Sequence, residues 1–113
     1  MGNNKMSLSD HEYRALQDIK LSVSKVFDIE EVVLFGSVVR GEADEESDID
    51  VLFVTKRLLS RWERHQITDI VCDINLERGT KFSTLVVDRK SWHQGPLSLL
   101  SIHQEIQKEG VPV

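Results

Sequence analysis

The side chains of this chain that could do chemistry together lie in residues 36–50. A Gly36-Ser37 pair is followed, after a polar spacer, by Ser47-Asp48-Ile49-Asp50. Glycine allows a sharp turn and close approach of a ligand, and the N–H groups of a short helix after it would face an anion. In a β-strand the side chains at i and i+2 share a face, so Asp48 and Asp50 would lie side by side near one divalent cation. The stretch therefore predicts a phosphate-binding turn beside a carboxylate pair.

Each half of this pattern also has an ordinary interpretation. A Gly-Ser pair is common at a strand-to-helix turn, and Asp48 could be a solvated loop end while Asp50 faces water on an uncovered sheet. However, Asp50 interrupts an otherwise apolar run that extends to Val54. Burying an ionisable residue is costly unless it is paired or bound to metal. The two halves together favour a metal-nucleotide site.

The surrounding sequence predicts the elements that would position this site. Apolar residues at three- and four-residue steps predict three helices, over residues 10–27, 59–78 and 96–109. Short apolar runs predict three buried strands, at residues 32–35, 49–54 and 81–87. Ser7 or Ser9 would cap the first helix, and Pro96 suits the first turn of the last. We expect an α/β (α+β) domain with helices packed on the sheet.

Length and composition fit one domain. The chain has 113 residues, of which 40% are hydrophobic. We expect residues 1–113 to form a single domain, with residues 1–8 or so as a flexible N-terminus. The net charge of −5 argues against general nucleic-acid binding, which needs a basic surface.

The expected location is the cytoplasm. The single cysteine, Cys72, cannot form an internal disulfide, and its apolar neighbours predict a small buried side chain. There is no signal-peptide pattern in residues 1–10 and no apolar run long enough to span a membrane, so no membrane partner is expected.

The pattern of residues 36–51 resembles the nucleotidyltransferase superfamily that contains DNA polymerase β. It is most similar to the minimal nucleotidyltransferase (MNT) group, whose pattern is Gly-Ser-x-Ala-Arg-Gly, a spacer, then Ser-Asp-x-Asp-Leu. This chain reads Gly36-Ser37-Val38-Val39-Arg40-Gly41 and Ser47-Asp48-Ile49-Asp50-Val51. The chain length, the preceding helix and strand, and the closing Glu109-Gly110-Val111 are also similar. The resemblance implies the small nucleotidyltransferase fold, with a mixed sheet of three to four strands.

The resemblance also implies an activity and a set of site residues. An acceptor hydroxyl on a protein or small molecule would receive NMP, with AMP favoured, from a nucleoside triphosphate such as ATP. Mg²⁺ or Mn²⁺ would be the cofactor, and two-metal stabilisation of the attacking and leaving oxygens is the usual chemistry. The implied nucleotide-binding residues are Gly36, Ser37, Arg40 and Ser47. The implied catalytic and metal-binding residues are Asp48 and Asp50.

Two of these residues have alternatives. The Arg40 guanidinium would either steady a phosphate or pair with Glu42 or Asp44 at the surface. Ser47 would alternatively cap the loop that precedes the second strand.

The family usually has a third acid on the next core strand, and this chain departs from that pattern. Ser83 or Thr84 occupies the expected position, and a neutral hydroxyl is a poor metal ligand beside a carboxylate. Asp69 and Asp73 on the preceding helix fit a solvated face better. The alternative function is therefore a catalytically impaired module that binds a nucleotide or a partner.

MNT proteins often resemble antitoxins that act with a HEPN-domain toxin. A chain this short lacks the separate substrate domain of larger relatives, so a HEPN-type partner or a homodimer mate would complete the acceptor site. Trp62 and Trp92 are predicted to be core or interface anchors.

Overall fold

The computed structural model describes residues 8–44 and 46–113. Its elements are α1 (Asp10–Val26), β1 (Ile29–Phe35), α2 (Ser37–Arg40), β2 (Ile49–Thr55), α3 (Arg61–Arg78), β3 (Phe82–Asp88), α4 (Arg89–Gln94), a 3₁₀ turn (Pro96–Leu99), α5 (Ser101–Glu109) and β4 (Val111–Pro112). The strands form one sheet in the order β3-β2-β1-β4. The predicted α+β architecture with a mixed sheet is confirmed.

The two long helices begin at capping boxes. The Ser9 hydroxyl accepts a hydrogen bond from the Glu12 N–H, and the Glu12 carboxylate accepts one from the Ser9 N–H. Ser60 and Glu63 repeat this arrangement at the start of α3. These bonds satisfy N–H groups that the first turn of a helix leaves unpaired. Ser9 is therefore the N-cap of α1, while Ser7, the other serine considered, lies outside the described residues.

The sheet is buried on both faces, which explains the continuous apolar run in β2. Val51 and Phe53 pack in a core cluster with residues of α1 and α3. Leu52 and Val54 pack in a second cluster with Trp92 and Ile106, from α4 and α5. Since successive side chains of a strand point to opposite faces, each residue of β2 has a covering layer.

Strand direction places the start of β2 beside the end of β1 and the start of β3. β1 and β2 are antiparallel, with Phe35 opposite Asp50. β2 and β3 are parallel, with Asp50 opposite Ser83. The α3 helix is the crossover that this parallel pair requires. The motif residues are thus gathered at one end of the three adjacent strands.

Several boundaries and burial states differ from the prediction. Strand β1 begins at Ile29 rather than Val32, and a register irregularity lies between Ile29 and Glu31. The last helix begins at Ser101, because Pro96 opens a separate 3₁₀ turn. The α4 helix was not predicted. Its N-cap is Asp88, whose carboxylate accepts a hydrogen bond from the Ser91 N–H.

Two side chains are more exposed than their apolar sequence patterns indicate. Trp62 is 80% exposed, although it fits the apolar spacing of α3, so it is not a core anchor. Cys72 is also exposed, so the prediction of a buried thiol is wrong. Neither belongs to the buried set of α3, which is Ile67, Val71 and Ile74. Trp92, by contrast, is a core anchor at 2% exposure.

The ends of the chain complete the description. Residues 1–7, most of the expected flexible N-terminus, lie outside the described residues, and Leu8 packs against the core. At the other end, β4 pairs antiparallel with β1. In residues 8–44 and 46–113, no helix has the length and apolar character required to cross a membrane.

Candidate functional site

The turn after β1 is built around Gly36. Its φ of 81° lies in the left-handed region, where a side chain is strained. A Cβ at this position would also overlap Oδ2 of Asp50. Two constraints therefore require glycine at position 36: the positive φ angle and the close approach of the Asp50 carboxylate. The result is a bare backbone turn pressed against an acid, followed by the single helical turn α2.

Asp50 is the half-buried acid of this site. Burial raises its pKa, and the negative charges of Asp48 and Glu105 raise it further, while Arg40 lowers it. Among the described residues, the Asp50 carboxylate forms no hydrogen bond or ion pair. A carboxylate that is partly desolvated and repelled by its neighbours gains strongly from a bound cation. The cost predicted for Asp50 from its apolar strand is thus present in the structure.

Asp48 lies just outside the strand. Because β2 begins at Ile49, only Asp50 of the predicted pair has strand geometry. Asp48 is exposed and lines an open cleft together with Cys72, Ser83 and Thr84. Its charge nevertheless reaches Asp50, as the raised pKa of Asp50 indicates.

Ser83 occupies the position of the expected third acid. It is the Cα partner of Asp50 in the parallel pair, whereas Thr84 is opposite Val51. Residues in register on adjacent strands point to the same face of the sheet. The Ser83 hydroxyl and the Asp50 carboxylate therefore lie on the same face. The register decides between the two hydroxyl residues in favour of Ser83, and the strand supplies no carboxylate there.

Ser47 stabilises the loop that leads into β2. Its hydroxyl donates to Oδ1 of Asp44 at 3.0 Å and accepts from the Asp44 N–H at 3.1 Å. Asp44 also accepts a hydrogen bond from the Glu46 N–H, and this bond, followed by those with Ser47, lowers the pKa of Asp44. The loop-capping role considered from the sequence is present. Nucleotide binding by Ser47 stays a prediction.

Arg40, the last residue of α2, is held by three carboxylates. Its Nε donates to Glu42 at 3.0 Å and its Nη1 donates to Glu109 at 3.1 Å, while Oε2 of Glu105 lies 4.0 Å away. The surface pairing with Glu42 is therefore present, and Asp44 is not among its partners in the described chain. These contacts anchor α5 to the turn. A phosphate contact by Arg40 stays a prediction.

The carboxylates of α5 were missed by sequence reasoning. Glu105 and Glu109 follow one another at i, i+4, on either side of the buried Ile106. Nothing in the local pattern separates them from solvated helix residues. A contact across 69 residues, from Arg40 to Glu109, became visible only in the fold.

A second group of potential ligands lies elsewhere. Carboxylate oxygens of Glu30 and Glu31 and a ring nitrogen of His93 lie within 4.8 Å of one another. This group is at the opposite end of β1 from Phe35, where Ile29 pairs with Thr55. Glu30 is bound by Arg89 at 2.9 Å, and His93 lies 3.4 Å from Glu31. It belongs to a different part of the molecule from Asp50.

The residues around Asp50 fit a hard divalent cation. Carboxylate oxygens are the donors that Mg²⁺ and Mn²⁺ prefer, usually together with phosphate oxygens and water. Two carboxylates with little compensating charge provide such donors, and the Asp50 carboxylate lies directly against the turn at Gly36. The arrangement suits binding of a metal-nucleotide.

Comparisons of sequence identify the family of this chain. The profile of the family described as "Nucleotidyltransferase domain" matches residues 16–109. Two relatives come from Methanocaldococcus jannaschii. "Putative protein adenylyltransferase MJ0141" is 32% identical over 73 residues, or 63% of this chain and 74% of that protein. "Putative protein adenylyltransferase MJ1305" is 37% identical over 78 residues, or 67% of this chain and 50% of that protein. The chain spans half the length of the second relative.

Comparisons of structure show the same fold. A structure described as a putative minimal nucleotidyltransferase has a TM-score of 0.61 at 23% identity, covering 95% of this chain and 99% of its own. A toxin–antitoxin complex with AMP-PNP has a TM-score of 0.57 at 20% sequence identity, covering 87% of this chain and 70% of its own. A tri-AMPylated Shewanella oneidensis HEPN toxin in complex with MNT antitoxin has a TM-score of 0.51 at 16% sequence identity, covering 90% of this chain and 70% of its own.

Proposed function

The chain belongs to the nucleotidyltransferase domain family, and we propose that it transfers NMP, with AMP as the favoured group, from a nucleoside triphosphate to a hydroxyl group. The acceptor is a protein or small-molecule hydroxyl, and a HEPN-type toxin is the favoured protein acceptor. One observation carries the proposal. The Asp50 carboxylate lies against the turn at Gly36, in the space that a side chain at position 36 would occupy.

The roles of the site residues follow from their positions. Asp48 and Asp50 would hold Mg²⁺ or Mn²⁺, which when bound supplies charge stabilisation at the attacking and leaving oxygens. The N–H groups at Gly36 and Ser37 would orient the β- and γ-phosphates. The oxygen of the acceptor hydroxyl forms a bond to the α-phosphorus and its proton passes to water. The bond from that phosphorus to the β-phosphate oxygen breaks, and pyrophosphate leaves.

The local charge explains why a cation would be required. Arg40 is surrounded by three carboxylates, those of Glu42, Glu105 and Glu109, which neutralise its positive charge when no phosphate is bound. A nucleoside triphosphate alone would meet net negative charge at this end of the sheet. We therefore expect nucleotide binding to depend strongly on divalent metal and to be weak when the metal is removed with EDTA.

The named relatives support an AMP donor and a protein acceptor. Both M. jannaschii proteins carry the name protein adenylyltransferase, and one structural neighbour is an MNT antitoxin bound to a HEPN toxin that carries AMP groups. Ser83 favours the second candidate, a nucleotide- or partner-binding module with impaired catalysis, because the strand lacks the third acid.

One experiment separates the two candidates. The protein is incubated with α-³²P-ATP and Mg²⁺, with and without an all-helical HEPN-type protein encoded beside it. Transfer of label to that partner supports the enzyme, and Asp50→Ala should reduce the transfer rate by roughly 10³-fold. Glu31→Gln, at the opposite end of β1, is the matched control and should transfer at the wild-type rate. Partner binding without label transfer would support the module.

A further inference from the structure

We infer that the free edge of strand β3 is an interface between two copies of this chain, which pair there as antiparallel strands around a twofold axis at Leu85. The two four-stranded sheets then join into one continuous sheet. This goes beyond the proposed function and does not depend on it, because the contact is made by the backbone of an edge strand and not by the acids of the site.

The two edges of the sheet differ in how they are protected from pairing. At one edge, β4 has only two residues, and one of them is Pro112. At the other edge, β3 has seven residues and pairs with β2 in an unbroken register. β3 contains no proline, lysine or arginine, and its one charged residue, Asp88, is the N-cap of α4. Natural sheets shorten, charge, bulge or cover their edges, so a long, regular, uncharged edge is expected to be covered by another strand.

Alternate residues of β3 direct their backbone groups away from β2. The Ile49 N–H donates to the Lys81 carbonyl at 2.8 Å, so the odd-numbered residues of β3 bond to β2 and the even-numbered ones face outward. At Phe82, the first outward residue, the side-chain amide of Asn75 takes the place of a further strand. It donates to the Phe82 carbonyl at 3.0 Å and accepts from the Phe82 N–H at 3.0 Å.

Thr84 and Val86 present the next outward groups, and these have no such cap. In the part of the chain that the structure describes, no strand lies beyond β3, and no loop or side chain bonds the outward N–H and C=O of either residue. Both residues are only partly buried. The edge therefore offers two donors and two acceptors to an added strand.

The spacing of these groups fits a second copy of the same strand. In an antiparallel pair centred on Leu85, Thr84 of one copy lies opposite Val86 of the other and exchanges two hydrogen bonds with it. The twofold axis repeats this exchange, so all the outward groups of both residues are satisfied. A centre at Thr84 would instead place Val86 opposite Phe82, whose backbone is already bonded to Asn75.

The side chains of the edge also suit pairing with themselves. The opposing pairs are Leu85 with its own copy, Ser83 with Val87, and Thr84 with Val86. Aliphatic and β-branched cross-strand pairs stabilise a sheet, whereas like charges opposite each other destabilise it. The chain has a net charge of −5, but residues 82–87 carry no charge. This edge is therefore a surface where two copies of an acidic chain meet without repulsion between opposing side chains.

Val86→Pro tests the backbone pairing. Proline removes the outward N–H and is tolerated where that N–H faces away from the neighbouring strand, so the chain should still fold, as circular dichroism verifies. Analytical ultracentrifugation of the full chain at about 0.1 mM, well above a micromolar dissociation constant, should give a dimer for wild type and a monomer for Val86→Pro. Val86→Ala keeps the N–H and is the matched control, which should remain a dimer.

Leu85→Cys tests the position of the axis, in a Cys72→Ser background that removes the exposed native thiol. Opposed residues at a non-hydrogen-bonded position have Cα atoms about 4.5 Å apart, within the range of a disulfide. Mild oxidation should therefore convert this variant to a covalent dimer on a non-reducing gel. Val87→Cys in the same background is the matched control. It lies opposite Ser83 rather than its own copy and should stay a single chain on the gel.

The outcomes decide the inference without reference to label transfer, so its failure leaves the proposed function intact. A wild-type chain that is monomeric at this concentration overturns it. A dimer that survives in folded Val86→Pro also overturns it, because the copies would then meet through another surface, such as the exposed Trp62. Cross-linking at position 87 as strong as at position 85 would contradict the axis at Leu85. If Val86→Pro does not fold, the cross-linking of Leu85→Cys decides.

Discussion

Carboxylates lie at both ends of β1, but Glu30 and Glu31 have ion-pair partners beside them, whereas the charges that act on Asp50 come mainly from other acids. At one end, Glu30 is bound to Arg89 and Glu31 lies beside His93. At the other end, Asp50 is half-buried, is repelled by Asp48 and Glu105, and has no hydrogen bond or ion pair among the described residues.

This difference distinguishes acids that stabilise the fold from acids that are suited to bind a ligand. An exposed carboxylate paired with a cation, as Glu30 is paired with Arg89, is an ordinary way to hold α4 against β1. An acid kept partly desolvated, without a cation and against a glycine, is a cost to the fold. Such a cost is typical of functional sites, because a ligand repays it when it binds.

Among substitutions that test this difference between the two ends, Gly36→Ala should have the largest effect on function. The new Cβ would overlap Asp50 Oδ2 and would also be strained at φ 81°. We expect Mn²⁺ binding and AMP transfer to fall by about 100-fold or more, because the carboxylate must move by the order of 1 Å. Electron paramagnetic resonance and the labelled-ATP assay measure the two effects.

Gly79→Ala is the matched control for that change. Gly79 also has a left-handed φ, of 70°, but nothing lies within 4 Å of a Cβ there. It should lower the free energy of unfolding in urea by about 1–2 kcal/mol and leave Mn²⁺ binding unchanged. If both glycine variants bound Mn²⁺ equally well, the close approach of Gly36 and Asp50 would have no functional meaning.

A smaller effect is expected for the stability of the metal-free protein with Asp50→Asn. The pKa of Asp50 is raised in the folded state, so its ionised form opposes folding at neutral pH. Removing that charge should raise the free energy of unfolding slightly, because the neutral amide is neither repelled by Asp48 nor as costly to bury. The gain should shrink as pH falls through the raised pKa and vanish below the ordinary aspartate pKa of about 3.9.

Urea denaturation between neutral and acidic pH, with EDTA present, measures this gain. Destabilisation by Asp50→Asn at neutral pH would mean that the acid supports the fold rather than a ligand.

The smallest effect is expected at the opposite end, for Glu30→Gln. Loss of its ion pair with Arg89 should lower the free energy of unfolding by less than about 1 kcal/mol, and the effect should weaken at high salt. Transfer activity should be unaffected. A loss of activity as large as that of Asp50→Ala would remove the distinction between the two ends.

Sequence patterns predicted the three longer strands, the long helices and the turn at Gly36, but not the short strand β4. These features depend on neighbours in the chain, such as the serine cap of α1 or the apolar run of β2. The α4 helix was missed because six residues are too few to show helical periodicity. The exposure of Trp62 was missed because periodicity identifies an apolar face without showing whether another element covers it.

By itself, the sequence determined that a glycine turn and two acids at fixed spacing would form one end of the site, since fifteen consecutive residues contain them all. The tertiary structure alone decided which residues surround them. Strand register placed Ser83 beside Asp50, and α5 brought Glu105 and Glu109 to Arg40 from more than 60 positions away. Such contacts depend on how whole elements pack, and spacing along the chain carries no record of that packing.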